Sequence, residues 1–501
     1  MRTLSDSLDR VVLGRWTGIP LFLAVMYLMF LFTINVGGAF IDFFDGVAGA
    51  IFVDGLGELM TAAGSPDWLR VLVADGAGAG LQVVATFIPI IAALYLFLSV
   101  LEDSGYMARA AFVMDRFMRA IGLPGKAFVP LIVGFGCNVP AIMATRTLEN
   151  ERERKLTILM NPFMSCGARL PVYALFAAAF FPHSGQNVVF ALYLIGIVVA
   201  ILTGLLMKQS LLPGSSSGFM MELSPYHLPT LKGVLLRAWD RVRLFVKEAG
   251  QVIVVMVLAL NVLNSIGTDG SFGNENTEHS LLSETARTLT PAFAPLGIQE
   301  DNWPAVVGVF SGILAKEVVV GTLDSLYTRV AEQESGPAEE SPFDLWQSLA
   351  EAAATVPQNL TELSNALLDP LGLGLVSERD AAAHDVNEAV FGAMQSRFDG
   401  KVGAFAYLLF VLLYFPCVAT IGAIRRETGP GWAAFVAAWT TGIAYLTATV
   451  YYQAATWSLH PTSSLAWISG MLLVFTATVL GLRTWARRDR RRVGAVARAE
   501  Q

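Results

Sequence analysis

Charged residues are scarce in this chain. Asp, Glu, Lys and Arg make up 15% of its 501 residues, whereas soluble domains carry about 25%. There are only three cysteines, and all three lie in apolar segments, so a disulfide framework is not expected. The net charge of −7 gives no indication of nucleic-acid binding, because the basic residues cluster beside apolar segments and the acidic residues lie between them. Together with a hydrophobic content of 54%, these shortages exclude an ordinary soluble domain and indicate a polytopic membrane protein.

Signatures of enzymes are also missing. Around "LPGKAF", Ala120 stands where a P-loop needs its first glycine and Ala127 stands where it needs Ser or Thr. No H-E-x-x-H motif occurs, and the five histidines fall in loops or at the ends of apolar segments. "GSSSG" at 214–218 lacks the strand–turn–helix context of a nucleophile elbow. The sequence therefore predicts a transporter or permease with no nucleotide site, rather than an enzyme.

Ten apolar segments approach the ~20 residues that a transmembrane helix needs. The first has no small-residue cleavage site, so it is predicted to be a spanning helix and not a signal peptide. Eight of the ten are predicted to cross the membrane. The segments are 19–40, 81–101, 127–146, 156–182, 187–207, 248–266, 304–325, 402–422, 431–452 and 465–485.

The arginines at the two ends of the chain predict its orientation. Three precede the first apolar segment and six follow the last, and basic flanking residues favour the cytoplasmic side. Both termini are therefore predicted to be cytoplasmic, which requires an even number of crossings. The connection at 41–80 holds one basic and six acidic residues, so it is predicted to be an external loop.

Two segments are predicted to enter and leave the membrane on the same side. In "VPLIVGFGCNVPAIMATR" (129–146), two prolines and two glycines interrupt the helix, and a full crossing would place the basic "TLENERERK" outside. Segment 304–325 is the mirror case, because the long acidic loop after it and the "RRE" at 425–427 require entry from outside. A hairpin plus three crossings thus repeats with opposite orientation, as in secondary transporters whose binding site lies at broken helices.

The predicted fold class is an all-α polytopic membrane protein with about eight transmembrane helices and two re-entrant hairpins in an inverted repeat. Its predicted parts are an N-terminal section with two crossings and an interfacial helix (1–126), a first gate repeat (127–266), an external loop (267–303), a second gate repeat (304–486) that includes a long external loop (328–401), and a basic cytoplasmic tail (487–501).

The three cysteines are the candidate metal ligands. Cys137, Cys166 and Cys417 each lie within three residues of a proline or glycine that interrupts a helix. Irregular backbone at membrane depth is tolerated where it lines a cavity, and thiolate, thioether and carbonyl groups together suit a transition metal such as Fe²⁺. Asn138 and Met164 are possible further ligands. The alternative is that each cysteine is a small buried hydrophobe.

Three charged residues inside apolar segments are candidates for gating or ion pairing. Lys316 and Glu317 are central in the second hairpin, and intramembrane ionisable residues are functional candidates by default. A structural ion pair or a backbone cap is the alternative for both. Arg169 lies in a crossing, where it either pairs with a carboxylate or holds a hairpin.

Long motifs resemble a known family. "LEDSGYMARAAFVMDR", "VPLIVGFGCNVPAIMATRTL", "NPFMSCGARLPVY", "AKEVVVGTL" and "FPCVATIGAIRRE" closely resemble the membrane domain of the ferrous iron transport protein B family. The resemblance implies a multi-pass protein of the bacterial inner membrane that imports Fe²⁺ as its substrate. It also implies that the two hairpin regions are gates and that Cys137, Cys166 and Cys417 line the iron path.

The resemblance also implies partners. Members of the family typically begin with a GTP-binding domain, whereas this chain starts at "MRTLSDSLDR". Three explanations stay open: the GTP-binding domain is a separate polypeptide that acts as a partner, this chain is a truncated product, or transport proceeds without that domain. Small cytosolic partner proteins and membrane lipid are further expected partners, and a homo-oligomer is also expected. Two alternatives stay open: a nucleoside or other organic-solute transporter of the same gate architecture, and a membrane scaffold for a signalling GTPase.

Overall fold

The computed structural model describes residues 4–499 apart from a few gaps. The gaps are 15, 183, 215–224, 275–276, 278, 315, 317, 333–343 and 367–387. Glu317 therefore lies outside the described residues, as does much of the long loop predicted at 328–401.

The described chain is almost entirely helical, which confirms the predicted fold class of a polytopic helical membrane protein. Its first half contains α1 (Leu4–Val12), α2 (Gly18–Leu31), α3 (Ile41–Gly49), α4 (Gly55–Ala62), α5 (Asp67–Arg70), α6 (Ala79–Asp103), α7 (Tyr106–Ile121), α8 (Phe128–Gly136), α9 (Asn138–Ala144), α10 (Glu151–Met160), α11 (Leu170–Phe180), α12 (Gly185–Gln209) and α13 (Leu231–Ser265). Its second half contains α14 (Leu281–Phe293), α15 (Trp303–Leu314), α16 (Val318–Glu332), α17 (Leu345–Ala366), α18 (Glu388–Arg397), α19 (Gly400–Leu413), α20 (Val418–Thr428), α21 (Pro430–Ala455) and α22 (Pro461–Ala499).

Within the described residues, eight helical stretches are long and apolar enough to cross a membrane. They coincide with the eight segments predicted to cross, although several are longer than predicted. The stretches are Gly18–Ala62, Asp67–Asp103, Glu151–Phe180, Gly185–Gln209, Leu231–Ser265, Gly400–Thr428, Pro430–Ala455 and Pro461–Arg487.

The two predicted hairpin segments are each made of short helices. The first hairpin consists of α8 and α9, about 14 Å and 11 Å long, so neither can cross ~30 Å of hydrocarbon alone. It follows α7 after a bend of 98°. The second hairpin consists of α15, about 18 Å long, and α16. That these segments are re-entrant, and the sides from which they enter the membrane, stay predictions.

The interpretation of 41–80 as a loop is wrong. Helices continue through most of it, and α3, α4 and α5 all lie within it. Tertiary contacts explain why this segment is helical. Gln82 donates a 2.9 Å hydrogen bond to Asp45, and Asn359 of α17 donates one of 2.7 Å to Asp42. The helix α17, inside the loop predicted at 328–401, therefore packs on α3.

An ion pair ties the first helix to the helix that leads into the first hairpin. Arg109 of α7 is 1% exposed and donates to both carboxylate oxygens of Asp9, at 2.7 and 3.2 Å. Its guanidinium also lies 3.9 Å from the centre of the Tyr226 ring. The hydrogen bond from Arg109 holds the pKa of Asp9 below its ordinary value of 3.8.

Replacing Asp9 should destabilise the protein because it leaves the buried Arg109 without its carboxylate. We expect Asp9→Asn to lower the free energy of unfolding by about 3 kcal/mol, measured by thermal denaturation in detergent. Since the folded-state pKa is depressed, this stabilisation is present above the unfolded value near 3.8 and is lost as the pH falls through the folded value. The difference between variant and wild type should therefore be constant from about pH 5 to 8. Glu151→Gln, which breaks an exposed pair with Lys155, is the control and should cost less than about 1 kcal/mol.

Candidate functional site

Two interruptions of helices lie next to each other in the first half of the site. The first break is at Cys137, whose extended backbone (φ −152°, ψ 130°) separates α8 from α9. The second break spans 161–169 between α10 and α11 and contains Cys166. A Cβ placed on Gly167 would lie 3.8 Å from the carbonyl oxygen of Gly136. The backbones on either side of the two cysteines are therefore neighbours.

The second half of the site repeats this arrangement. The third break is at Lys316, which is not helical, in the second hairpin. The fourth break, at 414–417, separates α19 from α20 and ends at Cys417. Lys316 of the third break reaches the fourth, where its Nζ donates a 3.1 Å hydrogen bond to the carbonyl oxygen of Phe415. In each half, a hairpin break thus lies against a break in the helical stretch that follows it.

The two halves meet through the helices that start at the breaks. The helix α9 begins after Cys137, α20 begins after Cys417, and these two helices pack together. Both cysteines are partly buried against the same apolar cluster. The Cys417 Sγ lies 3.1 Å from the Thr420 Oγ1. Among the described residues, no three His, Cys, Asp or Glu side chains form a preassembled metal cage.

The two further candidate ligands are both buried at the first two breaks. Asn138 is 5% exposed and its amide nitrogen donates to the carbonyl oxygens of Asn161 and Gly134, each at 3.2 Å, in the amide orientation that satisfies these neighbours. Met164 is 5% exposed and a Cβ on Gly134 would contact its Cβ at 3.3 Å. Asn138 therefore closes the first break against the second.

Asn161 is a polar residue of the site that sequence reasoning missed. It is fully buried, its Nδ2 donates to the Pro130 carbonyl at 3.4 Å, and its Oδ1 accepts no hydrogen bond from the described residues. The position of Asn161 directly before Pro162, at a helix interruption in an apolar segment, is the signal that could have identified it. Its Oδ1 is a buried hard donor atom at the second break.

Arg169 lies in the second break and contacts the backbone of that break. It is 1% exposed and its Nη1 donates to the Pro162 carbonyl at 3.2 Å. The neighbouring hydroxyls of Ser165 and Tyr173, both buried, are 3.0 Å apart. Among the described residues, Nε and Nη2 of Arg169 make no hydrogen bond and no carboxylate pairs with it. The two predicted roles of Arg169, pairing with a carboxylate and holding a hairpin, both stay predictions, and its described hydrogen bond is to the backbone of its own break.

Four charged residues form two ion pairs at one end of the site, and sequence reasoning did not identify them as partners. Arg146, after α9, donates to Glu427 at 2.6 Å, and Arg426 lies 2.5 Å from the carboxylate of Glu248 on α13. The pocket between them is also lined by Met143 and by small residues of α20. The pairs join residues up to 281 positions apart, a distance that leaves no local signal in the sequence. This end lies on the side predicted to be cytoplasmic.

The fold and the site define a polytopic helical membrane protein in which four broken helices meet in the interior. A family model described as "Nucleoside recognition" matches residues 84–180 and 246–431, more than half of the chain, and includes all four breaks. A second model, "Ferrous iron transport protein B C terminus", matches residues 189–241. The chain belongs to the ferrous iron transport protein B family and corresponds to its membrane domain.

The curated relatives carry the same name. A protein of Legionella pneumophila named "Fe(2+) transporter FeoB" is 52% identical over 470 residues, which are 93% of this chain and 61% of the relative. Proteins of that name from Escherichia coli strain K12 and Shigella flexneri are 47% and 46% identical over 487 residues, 96% of this chain and 62% of each relative. This chain thus spans about three fifths of the length of these relatives. No solved structure matches it.

Proposed function

We propose that this chain is the permease part of a ferrous iron importer in the bacterial inner membrane, with both termini cytoplasmic. The observation that carries the proposal is the pairing of breaks, which places the Cys137 backbone beside the Cys166 break and exposes the Phe415 carbonyl next to Cys417. Thiols and backbone carbonyl oxygens at interrupted helices can replace the water of a borderline divalent cation. The name of the relatives supports Fe²⁺ as the substrate.

In this proposal the metal meets the cysteines in sequence. The described residues hold no three-ligand cage, and a path needs sites from which the ion can leave as well as sites that bind it. Each thiol would therefore act with nearby oxygens, such as Thr420 Oγ1 beside Cys417 and Asn161 Oδ1 at the second break. Movement of the two hairpins, related as an inverted repeat, would open the path to each side in turn.

Partners complete the proposal. A GTP-binding protein and small cytosolic partner proteins would dock on the cytoplasmic side, and the chain would assemble as a homo-oligomer. The contact between α1 and α7 offers a route for such docking to act, because α7 leads directly into the first hairpin. Adding the GTP-binding partner to reconstituted permease should then raise the rate of iron uptake.

A second candidate function has its own support. The family model that covers the breaks is described as "Nucleoside recognition", so a nucleoside is the rival substrate. The experiment that separates the two is uptake into proteoliposomes of Fe²⁺ and of uridine, for the wild type and for Cys137→Ser. We expect Fe²⁺ uptake that depends on Cys137, and no uridine uptake. Uridine uptake without iron uptake would overturn the proposal.

The charged pairs at the predicted cytoplasmic end should restrict access to the site. In a variant that retains Cys417 as its only cysteine, we expect Glu427→Gln to raise the rate of labelling by a water-soluble thiol reagent several-fold, because Arg146 loses its partner beside the pocket. Exchanging the charges, with Arg146→Glu and Glu427→Arg together, should return the rate toward that of the parent. Glu151→Gln is the matched control and should leave it unchanged. An unchanged rate of labelling in Glu427→Gln would show that this ion pair does not restrict access to Cys417.

A further inference from the structure

The environment of Lys316 resembles a cation site already occupied by a cation. Lys316 is 3% exposed although its side chain is charged. Its Nζ lies 3.3 Å from the centre of the Tyr414 ring and 3.1 Å from the Phe415 carbonyl oxygen. A ring face and a backbone carbonyl are both groups that attract cations. The ammonium group therefore takes up interactions that the fourth break offers to any positive charge.

The same break offers ligands for a metal ion. The extended backbone at 414–417 exposes the Phe415 carbonyl, and Cys417 follows two residues later with its Sγ 3.1 Å from Thr420 Oγ1. A thiol, a hydroxyl and a carbonyl oxygen on one turn form a partial ligand set for a divalent transition metal. The Phe415 oxygen is common to this set and to the contact with Lys316. A divalent ion and the ammonium group that both contacted this oxygen would lie close together and would repel each other. The break therefore cannot hold both at once.

We propose that Lys316 is a tethered cation that holds the metal position at the fourth break until a divalent cation displaces it. This inference rests on the proposed function, since it assigns a specificity role within the same path. The displaced side chain is anchored between α15 and α16, so its departure couples occupation of the break to the second hairpin. A monovalent cation, which carries no more charge than the ammonium group, gains little by this exchange. The tether therefore favours divalent ions.

The test is equilibrium binding of Co²⁺, as a thiol-seeking divalent probe, to the purified chain in lipid nanodiscs by calorimetry. We expect Lys316→Met to bind Co²⁺ at least about tenfold more tightly than the wild type, because the competing charge is gone. Lys316→Arg, which keeps the charge, should bind no more tightly than the wild type. Adding Cys417→Ser to Lys316→Met should abolish the gain. Lys155→Met, which removes a lysine from a surface ion pair, is the matched control and should bind like the wild type.

The outcomes separate this inference from the proposed function. Equal or weaker Co²⁺ binding by Lys316→Met, in protein whose thermal denaturation shows it folded, would overturn the tethered-cation role. If that variant is unfolded, Lys316→Gln is measured in its place and judged by the same criterion. Tight binding by the variant together with no Fe²⁺ uptake by the wild type would reject iron transport and leave the role of Lys316 standing. Iron uptake by the wild type with no tighter Co²⁺ binding by the variant would reject the role of Lys316 and leave iron transport standing.

Discussion

Replacing Cys137 or Cys417 by serine should lower the rate of Fe²⁺ uptake into proteoliposomes at least about tenfold while the protein stays folded. The physical reason is that a hydroxyl has nearly the size of a thiol but is a much poorer ligand for a borderline transition metal. Both cysteines are only partly buried, so the change of one atom disturbs little packing. Cys166→Ser should have the same direction of effect, because the second break lies against the first.

A buried hydroxyl in the second hairpin provides the control for this prediction. Ser311 is buried in α15 of the second hairpin and donates to backbone carbonyls of its own helix, at 3.1 and 3.2 Å. We expect Ser311→Ala to leave the rate of uptake within about twofold of the wild type, since Ser311 lies inside a helix and not at a break. Fe²⁺ uptake that survives in a variant without cysteine would contradict the iron path as proposed. It would indicate that carbonyl and amide oxygens bind the metal.

The crossings and the first break follow from information that is local in the sequence. Stretches of about 20 apolar residues identify the eight crossings, since each must satisfy its own backbone hydrogen bonds in hydrocarbon. The glycines and prolines around Cys137 predict an interruption there, and the structure has one. Local signals also placed every cysteine near a helix interruption.

The pairing of the breaks and the partners of the charged side chains do not follow from local information. That Lys316 reaches Phe415 is decided by how helices 99 positions apart pack. The ion pair between Asp9 and Arg109 spans 100 positions, and the pair between Arg146 and Glu427 spans 281. The helices within 41–80 were missed for a related reason, because contacts with α6 and α17 order a segment that its composition alone leaves ambiguous.

The buried Arg169 at the second break is expected to lower the stability of the protein while it supports Fe²⁺ uptake. Arg169 is buried and, among the described residues, two of its nitrogens make no hydrogen bond. A buried charge with incomplete partners is destabilising, whereas an apolar side chain of similar volume at the same place is often stabilising. We therefore expect Arg169→Met to raise the free energy of unfolding by about 1 to 3 kcal/mol and to reduce Fe²⁺ uptake severely. Thermal denaturation in detergent and uptake into proteoliposomes measure the two effects separately.

The conservative variant decides what the guanidinium contributes. Arg169→Lys keeps the positive charge but cannot present a planar fork of donors, so it should not gain the stability of Arg169→Met. If uptake needs only a positive charge near Cys166, the lysine variant should retain much of the Fe²⁺ uptake. If uptake needs the hydrogen bond to the Pro162 carbonyl, the lysine variant should lose the Fe²⁺ uptake. Denaturation of Arg169→Met at a lower temperature than the wild type would contradict the prediction. It would show that the guanidinium is fully satisfied in the folded protein, and that its role at the break is to hold the structure together.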